Sequence, residues 1–163
     1  MAALRRRRFS PAVWRLARTH RLGPFDVRTR SLRRVSRDRI GVLDLVGLPS
    51  IQVTVPGRKT GIPRTTPLQY VPDGDAFLVV GSNWGSGKHP GWSANLTAVQ
   101  QVTVRRRDEQ FTASVRTLTG VERAQAWDKA VGFWPNYEIA RDLAGGREFR
   151  LFTLERIASD RGE

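Results

Sequence analysis

Between residues 50 and 118 the chain reads as a run of short, alternating, β-branched segments cut by Gly, Pro and Asp turns, and this constrains the fold more than anything else in it. Ser50–Val55 (SIQVTV) places apolar residues at every second position, the period of a half-buried strand. Thr65–Val71 repeats the pattern, with Pro67 predicting an edge or a bulge because proline cannot donate to a ladder. Pro72-Asp73-Gly74-Asp75 is a hairpin turn, and Ala76–Ser82 (AFLVVGS) is a third strand with no polar alternation, as expected where both faces are covered. Gln101–Arg107 and Gln110–Leu118 form a further hairpin around Asp108-Glu109. Consecutive antiparallel hairpins with few helices favour a small barrel over a βαβ sheet.

The helical signals are fewer. Trp92–Val99 suits a short helix after a glycine-rich loop. Thr119 and Glu122 have capping-box spacing, and Ala124, Trp127, Val131 and Trp134 recur at three-to-four spacing, which predicts the buried face of a longer helix. Pro135 breaks it, residues 136–144 form a short last helix ended by Gly145-Gly146, and Glu148–Leu154 is a closing strand.

Charge divides the chain. Residues 1–41 carry thirteen arginines against Asp26 and Asp38, which leaves only +2 of the net +13 to residues 42–163. We therefore expect a basic N-terminal arm (1–41) and a nearly neutral domain (42–163). In the arm, Ser10 and Pro11 fit an N-cap and first turn, Phe9 and Trp14 fit a hydrophobic staple, and Phe9, Val13, Leu16 and Ala17 form an apolar stripe with Arg15 and Arg18 on the other side. Such a basic amphipathic helix suits an anionic membrane surface, or packing on the domain with its arginines solvated. Nucleic acid is the weaker reading, because no aromatic or polar readers are interleaved with the charge. No stretch is apolar enough to span a bilayer, and the arginine run is followed by no apolar segment of the secretory type. These features suggest a cytoplasmic protein, peripheral on the inner face of the plasma membrane where the arm binds lipid.

The chain has no Cys and only two His, His20 and His89, which excludes disulfides and thiolate sites and leaves no ordinary ligand set for zinc or iron. Any chemistry would then belong to an organic cofactor. No His and carboxylate pair has the context of a serine triad, and His89 reads as a surface loop residue. Two loops stand out. Pro56–Arg64 sets Arg58, Lys59 and Arg64 among two glycines between strands, and no Walker spacing is present. This suits a ligand with several negative charges, or a solvated turn with incidental charge. Ser82–Trp92 runs from a strand end through a glycine-rich loop into a helix, which offers a wall for a flat ring, although Trp92 also suits core packing.

The phrases GRKTGIPRTTPLQY, DGDAFLVVGS, HPGWSANLTA and TGVERAQAW, followed by Trp134-Pro135-Asn136-Tyr137, resemble the deazaflavin-dependent nitroreductase family of actinobacteria over roughly residues 48–155. The resemblance implies an α+β protein, mainly β, built on a split β-barrel akin to flavin-binding barrels. It implies hydride transfer from reduced coenzyme F420 to a quinone or nitro-type acceptor, with FMN as a less favoured cofactor and some members membrane-associated. It also implies roles. Arg58, Lys59 and Arg64 would hold the cofactor tail; Thr60 and Pro67 would line the groove; Val80, Ser82, Gly91, Trp92 and Asn95 would surround the ring. Asn83 stands where the family often has a tail-binding Lys. Trp134 and Tyr137 would cover the substrate side, together with Ser93, which replaces a frequent Tyr. Ser82 and Tyr137 would donate hydrogen bonds to the reacting molecule. A further Tyr is missing at Ala140, and Phe149-Arg150 replaces a customary Ile-Pro. A module that binds deazaflavin or flavin without turnover is the alternative.

Overall fold

The computed structural model describes residues 49–158. The arm, with its expected helix, lies outside them. Six strands form one closed antiparallel barrel: β1 (Ser50–Pro56), β2 (Pro63–Asp73), β3 (Ala76–Val80), β4 (Gln101–Arg106), β5 (Glu109–Thr117) and β6 (Leu151–Arg156). Around the barrel the order is β1-β2-β3-β6-β5-β4, and β4 pairs back onto β1 with Val53 opposite Val104. Three helices complete the domain: α1 (Gly91–Leu96), α2 (Gly120–Phe133) and α3 (Asn136–Leu143).

Strand alternation builds two apolar cores. Ile51, Val53 and Val55 of β1 point into the barrel, where they meet Val79, Phe152 and Leu154. Leu78 and Val80 point outward, where α2 and α3 cover them with Ala130, Trp134 and Tyr137. The unbroken apolar run of β3 is thus explained: one set of its residues fills the barrel and the other the layer beneath the helices. Pro67 lies opposite Gln52 of β1, while pairing of β2 with β3 begins only at Tyr70. The proline therefore sits where one edge of β2 is unpaired, as its missing N–H requires.

Several boundaries and contacts differ from the sequence expectation. β2 starts two residues early, at Pro63, because the hairpin from β1 is tight. The β4–β5 turn is Arg107-Asp108, and Glu109 joins the strand opposite Arg106. The capping box does not form: Thr119 is the N-cap residue but makes no side-chain cap bond, and Glu122 pairs with Arg116 of β5 instead. Ala126 and Ala130 form the buried face of α2, Trp127 and Val131 are half-buried, and Ala124 is exposed. The last strand begins at Leu151, not Glu148, since Arg147 and Arg150 bind the loop after β3 while Glu148 and the Phe149 carbonyl are taken by Arg123 of α2.

Candidate functional site

One end of the barrel gathers the β1–β2 hairpin, the loop after β3, and α1. In the hairpin the Gly57 N–H bonds the Ile62 carbonyl (2.9 Å), and the Thr60 and Gly61 N–H groups return to the Gly57 carbonyl (3.0 and 2.7 Å). Gly61 takes φ +68°, which closes the turn at a conformation most side chains resist. Arg58, Lys59, Thr60 and Arg64 are all exposed. A Cβ on Gly57 would lie 3.6 Å from Arg64 Nε, so the Arg64 guanidine nitrogen folds over the base of the turn. Among the described residues no carboxylate pairs with Arg58, Lys59 or Arg64. Three uncompensated cations on one short turn attract a polyanion.

The hairpin is tied to α1. The Arg58 backbone N–H donates to Asn95 Oδ1 at 3.2 Å. Gly91 opens α1 with nothing within 4 Å of where a Cβ would stand, and half-buried Trp92 follows, its ring 6.0 Å from Phe152 of the barrel core. One side of the indole therefore packs on the barrel while the ring keeps partial access to solvent. Pro67 and Asn95 are half-buried as well. Trp92, Asn95 and the cationic turn thus lie on one continuous face.

The loop after β3 departs from ordinary backbone. Asn83, Trp84 and Gly85 take φ of 48°, 52° and 75°, three left-handed residues in succession. For Asn83 the conformation is tolerable, but for Trp84 it costs free energy that surrounding contacts must offset. Those contacts come from Arg147. Its Nε and Nη2 donate to the Ser86 carbonyl (3.1 and 3.0 Å), Nη2 also to the Ser82 carbonyl (2.9 Å), and Nη1 to the Gly81 carbonyl (3.3 Å) and to His89 Nδ1 (2.9 Å). The guanidinium also stacks 4.6 Å from the Phe149 ring centre. From the other side α3 presses on Gly85, where a Cβ would come within 2.9 Å of Leu143 Cβ and 3.0 Å of the Ala140 carbonyl. Asn83 Nδ2 donates to the Lys88 carbonyl (2.9 Å). Ser82 is half-buried, and its carbonyl is taken by Gly85 and Arg147. Its hydroxyl has no hydrogen-bond partner among the described residues, so it is available to a ligand.

Other expected site residues sit differently. The Val80 side chain is buried under the helices and its carbonyl accepts the Ser82 N–H (2.9 Å), so it supports the loop from behind. Ser93 is fully buried; its hydroxyl donates to the Pro90 carbonyl (2.8 Å) and accepts from Arg150 (3.3 Å), which makes it a fastener of α1 and not a surface for substrate. Trp134 and Tyr137 meet edge to face at 4.9 Å in the outer core, with Tyr137 only 2% exposed. Burial holds the Tyr137 phenol well above its ordinary pKa. Both rings stand behind the loop, beneath α2 and α3, rather than on its open side. Of the two expected donors, Ser82 is half-buried and Tyr137 is buried. Arg147 escaped the sequence reading because its partners are main-chain carbonyls, which leave no mark in the residue pattern; the one available signal was a glycine-rich loop whose carbonyls need donors.

A cavity of about 540 Å³ lies elsewhere, at the far end of the barrel, lined by Tyr70, Pro72, Phe77, Arg106 and Arg156. Arg106 there covers the Tyr70 and Phe77 rings at 5.6 and 5.8 Å, and Arg156 pairs with Glu109. These arginines cap the barrel floor, and Tyr70 beneath Arg106 is six residues of β2 from Arg64, roughly 20 Å at about 3.3 Å per residue.

A closed six-stranded antiparallel barrel with an acid-free cationic hairpin beside a tryptophan wall defines the class of protein. A family model described as F420H(2)-dependent quinone reductase matches residues 27–153, and the chain belongs to that family. It is 39% identical over 70 residues to an F420H(2)-dependent quinone reductase of Mycobacterium tuberculosis (strain H37Rv), a match that covers 43% of this chain and 47% of the relative. The matched region thus spans about half the length of that relative. Among solved structures, an F420-H2 dependent reductase (FDR-A) is 31% identical with a TM-score of 0.59, covering 66% of this chain and 94% of that one. A structure described as a domain-swapped dimer is 30% identical with a TM-score of 0.61, covering 90% of this chain and all of the other. Among the described residues no helix is long and apolar enough to cross a membrane, and no group of His and carboxylates has the makings of a metal site.

Proposed function

We propose that this protein is an F420-dependent oxidoreductase that transfers hydride from reduced coenzyme F420 to a quinone-type or nitro-type organic acceptor. The observation that carries the reading is the acid-free hairpin of Arg58, Lys59 and Arg64, joined through Asn95 to the Trp92 wall, in a chain of the F420H(2)-dependent quinone reductase family. The donor set fits a cofactor with a polyanionic tail. When bound, the reduced deazaflavin supplies the hydride. The remaining work is the chain's own. Arg58, Lys59 and Arg64 hold the tail, with Thr60, Pro67 and Asn83 along its course. Gly91 leaves room for a flat ring to approach, and Trp92 gives it an apolar face. Ser82 donates its hydroxyl hydrogen to the oxygen on which negative charge grows, and solvent supplies the proton. A preorganised donor of this kind is worth about a hundred- to a thousandfold in rate.

A second reading, a deazaflavin- or flavin-holding module without turnover, draws on one observation: the phenol of Tyr137 is buried behind the loop, so no side-chain acid stands on the open face. One experiment separates the two. Pure protein is titrated with F420 and with FMN by fluorescence, then mixed with reduced F420 and menadione while cofactor absorbance is followed. Accelerated oxidation by the quinone supports the reductase. Tight F420 binding with no acceleration selects the holding module. Retention of F420 after joint charge reversal of Arg58, Lys59 and Arg64 defeats the assigned site. The basic arm remains a candidate for an anionic membrane surface, which co-sedimentation with anionic vesicles would test.

A further inference from the structure

Arg150 lies directly opposite the start of the loop that carries Ser82. Its carbonyl accepts the Gly81 N–H at 2.8 Å. A Cβ on Gly81 would stand 3.6 Å from Ser93 Cβ and 3.7 Å from Arg150 Cβ, so positions 81, 93 and 150 converge at the foot of the Trp92 wall. The Arg150 guanidinium is half-buried, and one of its N–H groups reaches Ser93 Oγ at 3.3 Å. Among the described residues it has no second hydrogen-bond partner and no carboxylate within salt-bridge distance. Outside the cationic hairpin, several arginines are better provided. Arg116, Arg123, Arg141 and Arg156 each pair with a glutamate, and Arg147 spends its guanidinium on loop carbonyls and His89.

The surroundings deepen the imbalance. Arg147 and His89 lie close enough to Arg150 that, after burial itself, its charge is what lowers the pKa of both. Two guanidinium charges and an imidazole held neutral thus converge on one corner, with no acid among the described residues paired to Arg150 or Arg147. Such an arrangement disfavours itself in the free protein and is relieved by an anion. A guanidinium with unused, fork-shaped donors suits an oxygen whose charge is spread over a conjugated ring.

We propose that Arg150 is an oxyanion-binding residue that receives a negatively charged ring oxygen of the flat ligand lying against Trp92. The proposal rests on the function proposed above for the position of that ligand, and it adds a substrate class: ring acceptors with an ionised oxygen. The oxygen belongs either to the deazaflavin head or to the acceptor, and the two sources are separable. This corner differs from the tail-binding hairpin because it acts at the ring end of the site.

The test uses the full-length protein without turnover. An ionised hydroxynaphthoquinone and neutral menadione are titrated separately by calorimetry, and oxidised F420 by fluorescence, into the unaltered protein, Arg150→Gln and Arg150→Lys. Arg150→Gln is expected to weaken one of the anionic ligands about five- to tenfold and menadione less than about twofold, with Arg150→Lys recovering part of the loss. Loss in the hydroxynaphthoquinone arm assigns the oxygen to the acceptor, and loss in the F420 arm assigns it to the coenzyme. A variant-free reading accompanies these: raising salt from about 50 to about 500 mM weakens the anionic ligand and spares menadione. The proposal is overturned if neither anionic ligand loses more than about twofold, if menadione falls in parallel, or if neither anion binds the unaltered protein. Failure of F420 alone to bind the unaltered protein defeats the proposed function, and the hydroxynaphthoquinone arm still decides the role of Arg150.

Discussion

Asn95 Oδ1 accepts the backbone N–H of Arg58 across 3.2 Å, and this bond joins the cationic hairpin to the helix that carries Trp92. Arg58 and Asn95 are 37 residues apart in sequence, yet the bond fixes the separation of the two halves of the site that the proposed function assigns to cofactor tail and ring. Replacing Asn95 with Leu removes the acceptor while keeping the bulk. Stability is expected to fall by about 1 kcal/mol, the ordinary worth of one such bond, and F420 affinity to fall about three- to tenfold because the halves lose their spacing. Urea melts and fluorescence titration read the two effects. Unchanged affinity in a destabilised variant would show that the bond serves the fold alone.

Gly85 is placed to tolerate no substitution. Its φ of +75° and the 2.9 Å approach of a Cβ to Leu143 act together, so Gly85→Ala combines backbone strain with overpacking. A loss of about 2–4 kcal/mol is expected. Gly87→Ala, two residues on, meets nothing within 4 Å and is expected to cost less than about 1 kcal/mol. Thermal melts of the pair give the comparison, and equal effects would contradict the packing of α3 on the loop.

Arg147 holds the left-handed run in place. Arg147→Met keeps the stem over Phe149 but orphans the carbonyls of Gly81 and Ser86 and leaves the Ser82 carbonyl with the Gly85 N–H alone. About 2–4 kcal/mol is expected to be lost, with limited proteolysis opening first between residues 82 and 89. Arg147→Lys restores the charge but not the fork, and is expected to recover less than half of the loss. Full rescue by lysine would mean that charge, and not geometry, sets the loop.

His89 gives a pH-dependent reading of the same corner. Burial, then the charges of Arg150 and Arg147, hold its pKa below the ordinary imidazole value, and its Nδ1 accepts from Arg147 only while unprotonated. The folded state therefore binds this proton less readily than the unfolded chain does. Its contribution is present above the ordinary imidazole pKa of about 6.5 and is lost as pH falls through the lower folded value. Because His89 is exposed, solvent screening keeps the effect small. Proton NMR titration is expected to find His89 below the free imidazole value, with Arg150→Gln moving it upward. A His89 pKa at or above the free value would overturn this account.

Much of this architecture is legible from residues alone. The alternation in SIQVTV and the apolar run of β3 identify strands because their periods reflect which faces meet apolar partners. The hairpin itself is legible because glycines between two alternating segments mark a turn, while its three charges read equally as an anion site or as a solvated turn. Other features are hidden in proportion to how far they depend on tertiary competition. Thr119 and Glu122 have the spacing of a capping box, yet Arg116 on a neighbouring strand takes the glutamate. Three-to-four spacing predicts Ala124, Trp127, Val131 and Trp134 as the buried face of α2; Trp134 is buried, but within the helix Ala126 and Ala130 make the closest packing. The Tyr137 position is plain in sequence, but whether its ring lies before or behind the loop depends on how α3 seats on Gly85.

β1 is bonded on both flanks, to β2 and to β4, and it runs directly into the charged turn. The strand that seals the cylinder is therefore the stem of the proposed anion site. Under the proposed function a polyanion held at the tip would brace the seam below it, so that occupancy and resistance to unfolding draw on one free energy. By mass action each tenfold rise in free ligand above its dissociation constant adds about 1.4 kcal/mol to the folded state. Heat denaturation then doubles as a binding assay, able to rank anionic molecules for this protein before any reaction has been observed.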